Sequence, residues 1–356
     1  MQIDMHYYGT FAMAYAAGIT PQHAQIIATS AQLVDDNNFT NLYLLESGQG
    51  IEGVATAHHP LEAGQRALGL GANDDSRTVW VPFHFLPGNE GETFQEQVLC
   101  RKNSQLAQTM VNYYTKKETV ESHREHCLQL IGIGAHVYAD TFSHYGFSGL
   151  TSELNDVDTS TIKTDERHSP DVIDYIRRRF AEFEDMFSAG VGNSVRLGHG
   201  AVATFPDRPF LKWSYLQSDG LTRLERDNPA TFLEGCSCLF DYFSRFRSVF
   251  YADGAKPRVS FSEITSAVGD ILSREFDAQG RTAAWVDGLK AGRIGPPVDV
   301  PIYSASTWLE ALKSGAALEL KGGKVASEGY NFFVAADYHR NFVLKRLLPE
   351  AGLFVA

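Results

Sequence analysis

Residues 130–145 read LIGIGAHVYADTFSHY, and this stretch decides how the chain is expected to fold. It is the apolar end of a longer segment, Lys117–Tyr145, whose hydrophobic residues recur with helical periodicity. At about 1.5 Å per residue, a helix of this length extends more than about 40 Å and can cross a whole domain. The sequence therefore predicts one long helix around which the rest of the chain packs.

Three polar residues interrupt this apolar stretch at a spacing of four: His136, Asp140 and His144. Residues four apart on a helix lie about 6 Å from one another on one face. Ligands at i and i+4 can reach one metal ion, and a residue at i+8 can reach a neighbouring ion while the carboxylate bridges or flanks the two. The alternative is a helix with two hydrogen-bonded core histidines and one paired or capping aspartate. We expect the three side chains to point to the same side of one continuous helix.

The rest of the chain is also mainly helical in pattern. Between Asp35 and Gly91 the periodicity loosens into Gly, Asn, Asp and Pro clusters, with strand-like pieces at Leu42–Leu45 and Thr78–Phe85. The polar loop Gly149–Thr164 is the one candidate for a domain boundary, and a weak one. We therefore predict a mainly α, irregular multi-helix fold, a single domain over residues 1–356, with a small loop- and strand-decorated insert. The further predicted helices are Met5–Ala17, Pro21–Val34, Glu92–Tyr114, Asp171–Ser188, Pro229–Tyr251, Ser262–Ala278 and Gly329–Leu348.

The composition excludes several classes of protein. With 44% hydrophobic and 21% charged residues, the chain of 356 is an ordinary globular protein. A formal net charge of −12 without any Lys/Arg-rich stretch disfavours long nucleic acids as partners. No apolar run approaches the roughly 20 residues of a membrane span, and no secretory signal is visible, so we expect no span and a cytoplasmic location. The cysteines are predicted to be buried thiols: Cys100, Cys127, Cys236 and Cys238.

A metal-binding helix needs ligands from other segments, and the chain offers candidates ahead of it. His6 lies at the start of the first amphipathic helix, and Asp35 and Asp36 end the second, where a side chain can turn inward. A polar helix exit is the alternative for the two aspartates. His84 lies in an apolar run, where an unpaired imidazole would be costly, so it is expected to be a ligand or a hydrogen-bonded core residue.

Further histidines follow the long helix. His199 stands between two glycines, which let backbone or a ligand approach closely, so a site role is weighed equally with a structural one. Asp207 follows in the sequence Phe-Pro-Asp-Arg-Pro. His339 lies in the apolar helical run 332–343; it could line a pocket, but a half-buried surface position is the more common case for such a residue.

The helix sequence resembles the H-x-x-x-D-x-x-x-H helix of the zinc-dependent phospholipase C family, a relative of the P1/S1 nucleases and of a domain in glycosylphosphatidylinositol-specific phospholipase D. His6 ahead of an Ala-rich helix and Asp35 after the next helix resemble the early His and Asp ligands of that family, and His84 the His that follows. The resemblance covers about the first 150 residues in order, and the central helix is its specific part. The family is all-helical and clusters up to three zinc ions that activate water against a phosphodiester.

The resemblance implies three groups of ligands and two departures from the family's pattern. Family enzymes use the amino group of an N-terminal Trp as a zinc ligand, a role that would fall to Asp4 in this chain. The family's third site uses a His-x-x-x-Glu pair; position 203 is not acidic here, so Asp207 is the nearest substitute. The implied ligands are Asp35, His84, His136 and Asp140 for one ion, His6 and Asp140 for another, and His144 and His199 for a third.

The predicted function is a metal-dependent hydrolase of phosphoester bonds. Nitrogen and oxygen donors without cysteine suit zinc, with manganese or iron as alternatives, and two or three zinc ions are expected. Asp35 or Asp36 would orient or deprotonate a metal-activated water. The expected substrate is a small-molecule or lipid phosphodiester. The alternative is a non-catalytic interaction or effector-associated protein whose helices are stapled by metal; no nucleophile elbow, P-loop or dinucleotide fingerprint supports another enzyme class.

Overall fold

Helices dominate the computed structural model, which describes residues 1–38, 42–44, 50–57, 76–188, 198–217, 220–251, 254, 256–313, 320–321, 324–325 and 327–355. Its α-helices are Thr10–Ala16, Pro21–Asp36, Phe94–Gln97, Gln105–Tyr114, Lys117–Ser122, Cys127–His144, Pro170–Ser188, Asn228–Phe250, Phe261–Leu272, Ala278–Lys290, Ala305–Lys313, Glu328–Phe342 and Leu348–Glu350. The π-helical segments are Asp4–Gly9, Ser76–His84 and Val343–Leu347. The mainly α fold predicted from the sequence is confirmed.

Side-chain caps explain where several helices begin. Thr20 accepts a hydrogen bond from the backbone of His23, and Pro21 follows at the first helical position. Ser104 caps the helix Gln105–Tyr114 by accepting from Ala107. The helix that carries Asp35 therefore starts at a fixed residue, and its last turn ends at the candidate site.

The helix Cys127–His144, called the central helix from here on, is buried on every side. Each of its residues except Leu128 is buried, which requires partners all around it. It packs closely against the helix Pro21–Asp36 because Gly132 has no side chain: a Cβ there would lie 2.3 Å from the carbonyl oxygen of Ile27. The close approach brings the last turn of one helix beside the His and Asp residues of the other.

A small antiparallel sheet lies beyond the C-terminal end of the central helix. Lys212–Leu216 pairs with Arg223–Asp227, with Trp213 opposite Arg226, and Lys163–Thr164 adds an edge. A second, smaller hydrophobic core forms between this sheet and the chain around residues 85 and 147. The sequence pattern gave no indication of this hairpin. Short antiparallel pairs also join Leu42–Leu44 to Gly50–Glu52, and Leu320–Lys321 to Lys324–Val325.

The predicted long helix Lys117–Tyr145 is interrupted. Lys117–Ser122 ends at His123, and His126, with φ −130° and ψ 16°, is not helical. The segment between them is polar and largely exposed, so no apolar face holds it against the core. The central helix alone, at about 1.5 Å per residue, spans about 27 Å.

Two other segments differ from their predicted structure. Thr78–Phe85 is not a strand, because Ser76–His84 is π-helical and the amide of Phe85 donates to the carbonyl of Trp80 at 2.8 Å. A short apolar run has no periodicity that separates a buried helix from a buried strand. Glu92–Tyr114 is interrupted between Gln97 and Gln105, a segment in which Asn103 has a φ of +51°. Residues 39–41, 45–49 and 58–75 of the predicted insert lie outside the described residues.

Two expectations about the surface and the thiols can be compared with the structure. No helix in the described ranges is long and apolar enough to cross a membrane. Cys100, Cys127 and Cys236 are buried free thiols, as predicted, and Cys238 is half-buried.

Candidate metal centre

The central helix directs His136, Asp140 and His144 to one side, as their spacing predicted. All three are buried, with exposed fractions of 0 to 4%. Oδ2 of Asp140 lies 3.2 Å from Nε2 of His136 and 3.5 Å from Nδ1 of His144. The helix therefore places the carboxylate between the two imidazoles.

Other segments bring further His and Asp side chains to these three. Within each of three groups, the candidate ligand atoms lie within 4.8 Å of one another. We call them the His6 group (His6, His136 and Asp140), the Asp35 group (Asp35, His84 and His136) and the His199 group (His144, His199 and Asp207). Their eight residues are the cluster. Its members come from two π-helical segments, the end of Pro21–Asp36, the central helix and the segment 198–211.

Four cluster histidines each have one ring nitrogen tethered to a backbone carbonyl. Because a carbonyl only accepts, the tethered nitrogen carries the hydrogen, and a neutral ring presents a lone pair on the other nitrogen. A metal-ligating histidine is held in this way by its surroundings. The tethers are Nδ1 of His136 to Ala31 (2.8 Å), Nε2 of His84 to Thr56 (2.8 Å), Nδ1 of His144 to His84 (2.8 Å) and Nδ1 of His199 to Ala203 (2.7 Å).

The free nitrogens of two tethered rings face each other. Nε2 of His136 and Nδ1 of His84 lie 3.3 Å apart. Oδ2 of Asp140 lies 3.2 Å from the first and 3.6 Å from the second, and Oδ1 of Asp35 lies 3.8 Å from both. In the neutral rings all four atoms are acceptors, so their close approach is unfavourable unless a cation or a proton lies among them.

His6 completes the other side of Asp140. Its ring stacks on His136, with centroids 3.8 Å apart, and its Nε2 lies 3.1 Å from Oδ1 of Asp140. Neither ring nitrogen of His6, nor Oδ2 of Asp140, makes a hydrogen bond with any residue the structure describes. A buried polar atom without a partner costs about 1–3 kcal/mol, so these three atoms indicate a missing ligand.

The amino group of Met1 lies between the His6 group and the His199 group. Its nitrogen is 2.7 Å from Oδ1 of Asp140, 3.3 Å from Oδ1 of Asp207 and 3.4 Å from Nε2 of His144. Burial opposes its charge, but Asp140, Asp207 and Asp35 raise its pKa to about 11. A positive charge therefore already lies among these carboxylates.

The electrostatics of the cluster favour anionic carboxylates. Burial would raise the pKa of Asp140, but His144, the Met1 amino group, His136 and His6 hold it well below its usual range. Burial would likewise lower the pKa of His84, but the neighbouring carboxylates of Asp140 and Asp35 raise it. The surroundings that attract a proton to His84 would equally attract a metal cation.

The His199 group depends on a glycine and an aromatic ring. Nε2 of His144 lies 3.2 Å from Oδ1 of Asp207, and Nε2 of His199 lies 3.5 Å from its Oδ2. The ring of Phe85 stacks on His144 with centroids 4.6 Å apart. Gly198, with φ +58°, passes so close to this ring that a Cβ would lie 2.4 Å from it. Only glycine fits there, which explains one of the two glycines that flank His199.

The structure does not bring Asp4 into the cluster, which corrects its assignment as a ligand. Its buried carboxylate lies 2.8 Å from Nε of Arg281, so its charge is already neutralised. The amino group of Met1, and not Asp4, lies beside Asp140 and Asp207. Asp36 points aside as well: the hydroxyl of Tyr303 donates to its Oδ2 at 2.6 Å. Of the two aspartates proposed to orient water, Asp35 is the one in the cluster.

Sequence reasoning missed the residues that support the cluster from a distance. Arg226 donates to the carbonyl of Tyr145 at 2.7 Å and to that of Ser143, which satisfies the last carbonyls of the central helix next to His144. Arg281 and Tyr303 hold Asp4 and Asp36. These three lie 81 to 277 residues away from their partners, and no local motif marks them.

A family model of unknown function, DUF6765, matches residues 1–347. The chain belongs to this family. The DUF6765 match includes all eight residues of the cluster, from His6 to Asp207, and continues through most of the remaining chain. No curated protein and no solved structure matches the chain.

The donors of the cluster fit a group of divalent cations. Imidazole and carboxylate ligands suit zinc, and also manganese or iron. The lone pairs that converge in the Asp35 group and the unpartnered atoms of the His6 group require a cation or protons. The donor atoms of the described cluster residues therefore fit a bound metal cation.

Proposed function

We propose that this chain is a metal-dependent hydrolase of phosphoester bonds, similar to phospholipase C, that holds two or three zinc ions. The observation that carries the proposal is the convergence of Nε2 of His136, Nδ1 of His84 and Oδ2 of Asp140. Acceptor atoms at these distances are those of a cation site. The chain order of the cluster residues also agrees with that of the zinc-dependent phospholipase C family.

The proposed ligand sets follow the three groups of the cluster. Asp140 contributes one oxygen to the side of His6 and the other to the side of His84 and His136. It is therefore the residue that can bridge two ions. Asp207 supplies the carboxylate of the His199 group, which supports its role as the substitute for the family's glutamate. The sets are Asp35, His84, His136 and Asp140; His6 and Asp140; and His144, His199 and Asp207.

Bound zinc lowers the pKa of water to about 7 and neutralises charge on phosphoryl oxygens. The chain itself would supply the water-positioning group. Asp35 has the most exposed carboxylate of the cluster, at 30%, compared with 1% for Asp140 and 10% for Asp207. An exposed carboxylate beside the Asp35 group can accept a hydrogen bond from an attacking water and take its proton.

The charge of the cluster explains why phosphoester chemistry would depend on metal. Asp35, Asp140 and Asp207 bring three negative charges, and the Met1 amino group brings one positive charge. An anionic phosphodiester would be repelled by this balance. Two or three divalent cations reverse its sign, so the substrate anion and the metals would be held together.

The test is hydrolysis by zinc-loaded protein with a C-terminal tag. Three diesters are compared: bis(p-nitrophenyl) phosphate, phosphatidylcholine in mixed micelles and a dinucleotide. The proposal predicts turnover of at least one diester that the chelator-treated protein and the Asp140→Asn variant both lose. Zinc binding without hydrolysis of any diester above the level of Asp140→Asn would contradict it.

A non-catalytic, metal-stapled protein is the second candidate. The burial of the cluster favours it, because ligands shielded from water leave little room for a substrate. Structural zinc sites also stabilise folds outright. This candidate predicts that zinc raises the melting temperature strongly while every diester remains uncleaved.

A further inference from the structure

We infer that Arg281 is a positioning residue for the metal centre: through Asp4 and Gln2 it fixes the segment that carries His6, so that His6 can serve as a ligand. The inference rests on the metal-binding part of the proposed function. It does not depend on hydrolysis.

His6 differs from the other cluster histidines in how it is held. The rings of His84, His136, His144 and His199 are each tethered to a backbone carbonyl. His6 has no such tether, because neither of its ring nitrogens bonds to a described residue. Its ring stacks on His136, and its orientation otherwise depends on the position of its backbone. Something must therefore fix the π-helical segment Asp4–Gly9.

Arg281 fixes the beginning of that segment. Its Nε donates to Oδ2 of Asp4 at 2.8 Å and its Nη2 lies 3.4 Å from Oδ1, so the pair is bidentate. Nη2 also donates to Oε1 of Gln2, and Nη1 donates to the carbonyl of Phe276 at 2.8 Å. Every guanidinium nitrogen has a partner, and Asp4 and Arg281 are both buried. The bidentate geometry fixes direction as well as distance, which a flexible ammonium would not do.

The backbone transmits this constraint to His6. The amides of Met5 and His6 both donate to the carbonyl of Gln2, at 2.9 and 3.0 Å. Arg281 thus holds the side chain of Gln2, which begins the turn that ends at His6, and that of Asp4, which lies within this turn. The segment Asp4–Gly9 that follows from this turn is π-helical, and such segments are frequent at functional sites. Loss of the clamp would release the histidine that has no tether of its own.

The test is zinc titration of chelator-treated protein against a chromogenic chelator. His6→Ala identifies the zinc equivalent that depends on His6. We expect Arg281→Lys and Asp4→Asn to weaken that same equivalent about 10- to 100-fold, as the loss of supporting partners does at metal sites, and to leave the others unchanged. In the double variant His6→Ala/Arg281→Lys, no further equivalent should weaken.

The matched control is Arg258→Lys. Arg258 donates to the carbonyls of Tyr15 and Ile19, at the far end of the helix that continues from the segment of His6. Its loss should lower the melting temperature without changing zinc affinity.

Two outcomes would overturn the inference. If Arg281→Lys and Asp4→Asn lower the melting temperature but keep full zinc affinity, the pair is merely structural and the metal centre stands. If the wild type binds no zinc at all, both the metal centre and the inference fall. Asp4→Asn is a nearly isosteric change, so it tests the same pair if the Arg281→Lys variant does not fold.

Discussion

Two buried histidines, His6 and His339, have similarly lowered pKa values but differ in their hydrogen bonds. Burial lowers the pKa of both His6 and His339 to about 4, and His136 adds to the effect at both residues. His339 has both ring nitrogens satisfied: Nε2 donates to the carbonyl of Pro82 at 2.7 Å, and the hydroxyl of Tyr114 donates to Nδ1 at 2.8 Å. Neither nitrogen of His6 has a hydrogen-bond partner in the described chain.

A lowered pKa therefore does not by itself identify a metal ligand. Desolvation produces the shift at both residues, whatever the ring does. The distinguishing feature is whether the chain itself supplies partners for the nitrogens. By this criterion His339 belongs to the core, and His6 is a candidate ligand of the proposed metal centre.

The largest effect is expected for Asp140→Asn. The amide lacks the charge and the second anionic oxygen that His6 and His136 face, so zinc binding to the His6 and Asp35 groups should be lost. Metal analysis and thermal denaturation measure the two consequences, and the variant should remain folded. The control is Asp270→Asn, which breaks an exposed pair with Arg293 and should leave zinc content unchanged. Unchanged zinc in Asp140→Asn would rule out its bridging role.

The pair His339→Ala and His6→Ala should separate stability from metal binding. His339→Ala opens a buried cavity and leaves Tyr114 and Pro82 without their partner, so it should destabilise the metal-free protein by about 4 kcal/mol. It should bind zinc normally once folded. His6→Ala removes two unsatisfied nitrogens, so it should cost less stability but lose the zinc equivalent that depends on His6. The measurement is the unfolding free energy of each variant by denaturant, with and without a chelator. If the two variants lose the same stability and respond equally to the chelator, His6 and His339 do not differ in role.

Gly132→Ala should weaken both the core and the metal centre. Its Cβ would lie 2.3 Å from the carbonyl oxygen of Ile27, and backbone cannot yield as a side chain can. The helix that carries Asp35 must shift, at a cost of about 3 kcal/mol and with lower zinc affinity. Gly269→Ala is the control, because its nearest contact would be 3.9 Å away and alanine favours a helix by about 0.5–1 kcal/mol. Equal stabilities of the two variants would contradict the close packing.

The smallest effect is a pH dependence from His339. Its pKa is lowered from 6.5 to about 4, so folding favours the neutral ring. The stabilisation is complete above about pH 6.5 and is lost as the pH falls towards 4, with a loss of about 2 kcal/mol by pH 5. The measurement is the unfolding free energy of metal-free wild type minus that of His339→Gln, taken from pH 7 to pH 5. A difference that stays constant would show that His339 is not held neutral.

The helical part of the site could be predicted from sequence because helix geometry is local. The spacing of His136, Asp140 and His144 alone determines that they share a face. The neighbourhood of His6, Asp35 and His84 was suggested by a family resemblance, since no local rule brings separate helix ends together. The grouping of these residues in the structure agrees with that suggestion.

The rest of the site could not be predicted, because it depends on partner residues that are far away in the chain. Asp4 was predicted to be a ligand, but its role is decided by Arg281, 277 residues later in the chain. His339 was expected to be half-buried, and it is fully buried because Pro82 and Tyr114 enclose it. Both cases concern polar side chains in apolar surroundings, where the sequence indicates that a partner is needed but not which one.

The central claim is that the cluster is a metal centre, and zinc stoichiometry tests it most directly. Protein purified with a C-terminal tag is dialysed against buffer containing zinc and then against metal-free buffer. Its zinc content is measured by inductively coupled plasma mass spectrometry. We predict two or three tightly bound equivalents of zinc in the wild type and the loss of most of them in Asp140→Asn. An Asp140→Asn variant that retains the full zinc content of the wild type would contradict the bridged arrangement, and no bound zinc in the wild type would contradict the metal centre itself.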